Sequence, residues 1–355
     1  MAHHEQDDMT VRVTPAARWT AIGWLALAIV IAATAAWEWR MRSLGLRAGD
    51  LDDSKWHWAV ERRRLESGDH DGVVIVGSSR ILFDTDLDAW QKMTGRRPLQ
   101  LALVGTNPRP VLSRLADETD FKGLVVVGVT PDLYFMERFS YLPQYDEILD
   151  FWHKESPSER AGHRIGLVLS EQLAFLDEAY RLVPLVERLD IPDRPGVRRP
   201  YLEVWKLAET STDRQHRMWP RLETDVRLRD HARLVWGPFD GSGPKPESIS
   251  KAIGESRAAV AKIRARGGDV VFVRAPSAGL YYENEQHFAP RDKTWEPLLR
   301  ETGAFGIHFE DYPEMRGLEV PEWSHLSRES ATRFTRAYVG VLLERYPWLK
   351  GRTAG

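Results

Sequence analysis

Two short segments at opposite ends of the sequence hold a nucleophile and a base. Val73-Val74-Ile75-Val76-Gly77-Ser78-Ser79-Arg80 ends an apolar, β-branched run on a hydroxyl, and Pro321-Glu322-Trp323-Ser324-His325-Leu326 sets an imidazole three residues after a carboxylate. Serine is a poor nucleophile at neutral pH. It attacks a carbonyl when an imidazole takes its proton and a carboxylate holds that imidazole in the right tautomer. Ser79, His325 and Glu322 supply those groups. Glutamate is longer than the more familiar aspartate by a methylene, so such a triad requires its own packing.

These residues need a scaffold that brings them together. A valine-rich run such as Val73–Val76 reads as a parallel strand buried on both faces, and its carboxyl end is where α/β sites are built. Similar runs follow at 98–103, 124–127, 270–273 and 306–309. Helical patterns separate them. Asn107 before Pro108 reads as a cap followed by proline at the first helical position, with Val111, Leu112 and Leu115 on one face. Ser248 reads as the cap of a helix striped by Ile249, Ile253, Val260 and Ile263 and ended by Gly267-Gly268, and a last helix starts near Ser327 and stops at Pro347. Strands alternating with helices predict an α/β domain with a doubly wound, mainly parallel five-stranded sheet. Its halves are 72–138 and 245–355, and the charged, helix-patterned interval 139–244 is expected to be a helical insertion or cap.

Ahead of the domain, no charge occurs from Trp19 to Trp37. That is close to the ~20 residues a helix needs to cross a bilayer core. Residues 1–18 are then a short polar tail, 19–39 a transmembrane anchor with Trp19, Trp24, Trp37 and Trp39 near its ends, and 40–71 a stalk or linker helix centred on Trp56–Leu65. Ala33-Thr34-Ala35 has the pattern of a signal-peptide cleavage site, but the apolar run exceeds the usual ~7–15 residue core, so a retained anchor is the expectation. Arg12 and Arg18 precede the span while Arg40, Arg42 and Arg47 follow it, which on charge alone slightly disfavours an arrangement with the N-terminus inside. A short tail before a large domain suits a single-pass inner-membrane protein with its C-terminal domain periplasmic.

Composition narrows the classes. A net charge of −3 leaves no electrostatic footprint for nucleic acid. With no cysteine, thiolate catalysis, disulfides and cysteine-bound metal are excluded. The eleven histidines show neither His-x-His nor His-Glu-x-x-His spacing, so no metal site is expected, and His287 and His308 read as surface or structural residues. Gly77-Ser78-Ser79-Arg80 lacks the glycine spacing of a dinucleotide loop and the lysine of a phosphate loop, and no cofactor is expected. Arg80, next to the nucleophile, and Arg274, after the fourth strand, are candidates to bind substrate, with a salt bridge inside the domain as the alternative.

With these motifs in place, the chain resembles the SGNH (GDSL-like) hydrolase superfamily, in which the nucleophilic serine follows Gly-Asp at the end of the first strand. Gly77-Ser78-Ser79 matches that block with Ser78 in the aspartate's position. Gly105 matches the oxyanion-hole glycine of the second block, and Glu322-Trp323-Ser324-His325 matches the last block, Asp-x-x-His, with glutamate for aspartate. The third-block asparagine is missing from Gly128-Val129-Thr130-Pro131-Asp132. The resemblance covers about 72–132 and 269–346. It implies Ser79, His325 and Glu322 as catalytic groups, and an oxyanion hole from the N–H groups of Ser79 and Gly105, each donor worth on the order of 3 kcal/mol. Asn107 or Thr130 would replace the missing asparagine. By resemblance to envelope members, the expected substrate is an acyl ester, acetyl above all, on a cell-surface polysaccharide, handled by an esterase or O-acyltransferase within the envelope polysaccharide machinery. The competing expectation is an inactive scaffold that binds glycan or a partner in a surface-polymer assembly.

Overall fold

The computed structural model describes residues 18–67, 72–136, 145–181, 186, 204, 206–236 and 243–351. Most of the polar tail and the Gly/Pro-rich segment 237–242 lie outside the described residues. The strands are β1 (Val73–Val76), β2 (Leu99–Gln100), β3 (Leu124–Gly128), β4 (Ala208–Thr210), β5 (His216–Met218), β6 (Asp269–Arg274) and β7 (Phe305–His308). Five of them form one sheet in the order β2-β1-β3-β6-β7, and every pairing in it is parallel.

The valine runs are explained by burial on both faces. Val74 and Val76 enter one core with Val125, Val127, Val270 and Phe272, whereas Val73 and Ile75 enter the other with Leu124, Val126, Val271 and Val273. This is the pleat's two-residue alternation with both sides covered. The first core is closed by α2 (Lys55–Glu66), α5 (Arg109–Glu118), α11 (Pro246–Ala265) and α13 (Trp295–Thr302). The second is closed by α3 (Ser79–Asp84), α4 (Leu87–Thr94) and α14 (Arg328–Arg345). From β1 the chain steps out to β2 and crosses back to β3, so the strand order reverses at β1. The carboxyl ends of β1 and β3 therefore flank the crevice where open parallel sheets place their sites.

Three boundaries differ from the sequence reading. Asn107 is not the cap of α5: the helix starts at Arg109 with Pro108 in the cap position, one residue later than the Asn-Pro pair predicts, and Asn107 Oδ1 accepts the Arg109 N–H at 3.0 Å from just ahead of it. Ser248 is not a cap: α11 starts at Pro246, whose fixed φ suits the first helical position, and Ser248 is buried inside the helix. The predicted second strand, 98–103, shrinks to Leu99–Gln100. Its edge is covered: Arg214 donates to the carbonyls of Gln100 at 2.7 Å and Ala102 at 2.8 Å, and Trp58 Nε1 donates to Leu101 O at 3.1 Å. Groups that would otherwise invite another strand are thereby occupied.

The N-terminal helix α1 (Trp19–Ser43) has 25 residues and is long and apolar enough to cross a membrane. At 1.5 Å per residue it extends about 37 Å. The stalk expectation is corrected. In α2 the residues His57, Trp58, Ala59, Glu61, Arg62 and Leu65 are buried, and Trp58 and Leu65 belong to the sheet's core. The end of α1 is also part of the domain, since Met41 packs with Leu46, Ala174, Tyr180, Met218 and Trp219. Nor is the insertion only helical. Alongside α7 (Tyr145–Lys154), α8 (Pro157–Ser170), α9 (Pro220–Thr224) and α10 (Val226–Trp236) it carries the antiparallel hairpin β4–β5, whose turn supplies Arg214 to the sheet edge.

Candidate active site

The chain leaves β1 through Gly77 and Ser78 and enters α3 at once, so Ser79 opens that helix at the carboxyl end of the strand. Close packing dictates the glycine. A Cβ on Gly77 would lie 2.2 Å from Ile81 Cγ2, and one on Gly128, at the end of β3, 2.4 Å from Ile81 Cβ. Ile81 thus lies across the ends of both strands and seats α3 against the sheet. Ser79 remains half-buried, with its Oγ 2.9 Å from His325 Nε2.

His325 and Glu322 sit on a tight loop between β7 and α14. Glu322 Oε1 accepts both the Nδ1 proton and the backbone N–H of His325, each at 2.7 Å. Its Oε2 accepts the Ser324 N–H at 3.3 Å and the Trp236 Nε1–H at 2.5 Å. The longer side chain therefore curls back to cap its own loop while reaching the ring. With Nδ1 donating to a carboxylate, the lone pair of Nε2 is left facing the serine hydroxyl, the tautomer a general base needs. The ring is walled by Phe83, with centroids 4.4 Å apart, and by Trp236, edge-on at 6.1 Å.

The loop's backbone is held in an uncommon conformation. Trp323 has φ 76°, a value that costs a bulky non-glycine residue energy and persists only where surroundings enforce it. Its carbonyl accepts the Ala278 N–H at 3.0 Å. Gly279 (φ 53°) makes room for the indole, because a Cβ there would meet Trp323 Nε1 at 2.5 Å. Arg233 of α10 lies over the same ring at 5.3 Å and donates to Pro321 O at 3.1 and 2.6 Å.

Two side chains of α3 clasp this loop to the nucleophile's own helix. Arg80 Nε donates to Ser324 O at 3.1 Å, and Asp84 Oδ1 accepts the Leu326 N–H at 2.8 Å. Both are buried, at 1% and 0% exposure. Burial pushes the Asp84 carboxyl well above the usual carboxylate range despite that backbone hydrogen bond. Arg80 and Arg274 are corrected as substrate-binding candidates. Arg80 Nη1 pairs with Glu285 at 2.8 Å, and Arg274 Nη2 pairs with Glu285 at 2.5 Å and Ser277 Oγ at 3.0 Å. Arg274 is 3% exposed, so both guanidiniums are internal. Burial alone would raise Glu285, but the Arg274 and Arg80 guanidiniums overcome it and hold the carboxyl below its ordinary value.

The two proposed replacements for the missing asparagine are engaged elsewhere. Thr130 Oγ1 is 2.5 Å from Ser78 Oγ, so these residues tie the ends of β3 and β1 to each other. Asn107 accepts from Arg109 and donates to Tyr134 O at 3.3 Å, and is 0% exposed. Among the described residues, the N–H groups of Ser79 and Gly105 donate to no acceptor. His308 is buried and edge-on to Trp295, and its pKa is lowered to about 2 by burial, with Arg274 and Arg291 adding to the effect. His287 is exposed on α12 (Gly279–Phe288). No group of three or more His, Asp or Glu that could hold a metal ion occurs among the described residues.

No protein-family model matches the chain, and no curated protein does. The chemistry therefore rests on the residues themselves. The site contains groups that sequence reasoning missed: Phe83, Asp84, Arg233, Trp236 and Glu285. Only Asp84 carried a local signal, as an acidic residue at the end of the short helix that begins with Ser79.

Proposed function

We propose that this chain is a membrane-anchored serine esterase or O-acyltransferase of SGNH-like design, its domain outside the cytoplasm, acting on acyl esters of a cell-surface polysaccharide. The observation that carries the reading is the unbroken relay Ser79–His325–Glu322, at 2.9 and 2.7 Å, at the carboxyl end of β1. In the mechanism this supports, His325 Nε2 takes the Ser79 proton as Oγ attacks the ester carbonyl. The tetrahedral oxyanion is met by the N–H groups of Ser79 and Gly105. His325 then returns the proton to the departing alkoxide, leaving an acyl-serine. Water or a sugar hydroxyl, deprotonated by the same imidazole, releases the acyl group as acid or as a new ester. Glu322 keeps its charge throughout and stabilises the imidazolium. Acetyl is the favoured acyl group by resemblance to envelope SGNH proteins.

The test is covalent labelling by a fluorophosphonate, alongside hydrolysis of a short acyl ester with and without an oligosaccharide acceptor. Wild type should label, and Ser79→Ala should lose labelling and about a thousandfold or more in turnover. Acyl transfer to the acceptor would assign the transferase. Wild type that fails to label where a control esterase labels would replace this reading with the glycan-binding scaffold. The engaged side chains of Asn107 and Thr130 are the observation on that side.

A further inference from the structure

The candidate site leaves one exposed apolar face unexplained. On α8, Ile165, Val168 and Leu169 are 63%, 62% and 48% exposed. Their spacing puts them on a common face, which Ala161 extends by a turn, whereas Leu167 is half-buried and Ser170 buried. A solvated helix ordinarily presents charged or polar residues on its outward face.

The position of this face identifies what covers it. The carboxyl end of α8 is bound to the end of α1: Ser170 O accepts the Gly49 N–H at 2.8 Å, and Gln172 O accepts from Arg42 at 3.3 Å. Just beyond, the N–H groups of Ala174 and Phe175 donate to Glu38, both at 3.0 Å. The same turns of α1 expose Trp37 and Trp39, amphipathic rings of the kind that settle at headgroup level. Arg40, next in sequence to Trp39, and Arg164, next to Ile165, are both exposed, cations suited to lipid phosphates. Leu169 thus lies about one helical turn along the chain from the Gln172 carbonyl that holds α1.

We propose that α8 lies in the membrane interface beside α1, with Ile165, Val168 and Leu169 among the upper acyl chains and Arg164 at the phosphates. The occupant of the face is lipid, as for other amphipathic helices that lie in the interface plane. The proposal rests on α1 being a membrane span.

Because the chain has no cysteine, single substitutions can each carry one environment-sensitive fluorophore on the full-length protein. Ile165→Cys and Val168→Cys would be compared with Ile29→Cys, midway along α1, and Glu301→Cys, exposed on α13, in phosphatidylcholine–phosphatidylglycerol vesicles holding shallow or deep nitroxide lipids. The expected result is quenching at 165 and 168 by the shallow nitroxide at least about threefold stronger than at 301, with 29 quenched by the deep one. Water-like emission at 165 and 168 with 29 quenched would overturn the proposal and leave the span standing. An unquenched label at 29 would remove the span itself, and the proposal with it. Matching circular dichroism among the labelled proteins confines these outcomes to folded chains.

Discussion

Trp236 Nε1 lies 2.5 Å from Glu322 Oε2, so a residue of the insertion donates to the carboxylate that holds the His325 ring. A hydrogen bond to a charged group contributes roughly 1.5–3 kcal/mol. Trp236→Phe keeps the ring beside His325 and removes that donor, so it should lower kcat about tenfold with KM little changed. Glu322→Gln should cost far more, on the order of a thousandfold, because an amide cannot enforce the tautomer. Steady-state kinetics on the two variants would check the ranking; equal losses would contradict the supporting role of Trp236.

Gly279→Ala tests the loop that carries the base. Its φ of 53° is disfavoured for alanine, and the new Cβ would press on Trp323 at 2.5 Å. The strain should amount to roughly 1–2 kcal/mol. Because Ala278 N also holds Trp323 O, the displacement reaches His325, and fluorophosphonate labelling should slow at least as sharply as stability falls. Thermal unfolding and labelling rates on one preparation read both effects.

Arg80→Met separates positioning from substrate binding. It removes the clasp on Ser324 O and leaves buried Glu285 to Arg274 and the Ser277 hydroxyl, so the expected cost is about 1–3 kcal/mol in urea unfolding. A variant of unchanged stability whose KM rises would return Arg80 to the substrate.

His216, whose ring lies 5.4 Å from that of Phe83, predicts acid sensitivity of the fold. Burial, with a smaller contribution from the Arg214 charge, lowers its pKa to about 4 against the pull of Asp53. Its folded pKa lies below the unfolded value near 6.5, so the stability it contributes is present above about pH 6.5 and is lost as pH falls toward 4. Between pH 7 and 5 that loss is about 2 kcal/mol. In His216→Gln this part of the decline should vanish, measured by urea unfolding in detergent at the two pH values.

The strands that carry the site were legible because burial on both faces writes an unbroken apolar run, as in Val73–Val76 and Leu124–Gly128. Ser79, Glu322 and His325 were legible through residue type and the sharp end of the first run. The support around them was not. Trp236 is 86 residues from Glu322, and its α10 joins the site by a tertiary contact that leaves no period in the sequence. Arg80 was visible with two readings, substrate contact or an internal salt bridge, and it makes the salt bridge, to Glu285. Neighbours on an α-helix diverge by about 100°, so adjacency to an accessible serine sent the guanidinium into the core. The stalk was misread for a related reason: Trp56–Leu65 is rich in charge, yet Arg62 and Glu61 are buried in their pairings with Glu66 and Arg64 while Trp58 and Leu65 join the core.

The union of α1 with the domain has a mechanical consequence. A helix that ends in a loose tether lets its cargo swivel and sweep out a volume. Here Met41 is buried and Glu38 holds the backbone of 174–175, so the helix and the domain turn as one body. With α1 in a bilayer, the Ser79 hydroxyl would keep a fixed height and a fixed bearing relative to the membrane plane. Whatever that hydroxyl meets would then have to come to it, and the rate of delivery, rather than the domain's reach, would govern how often they meet.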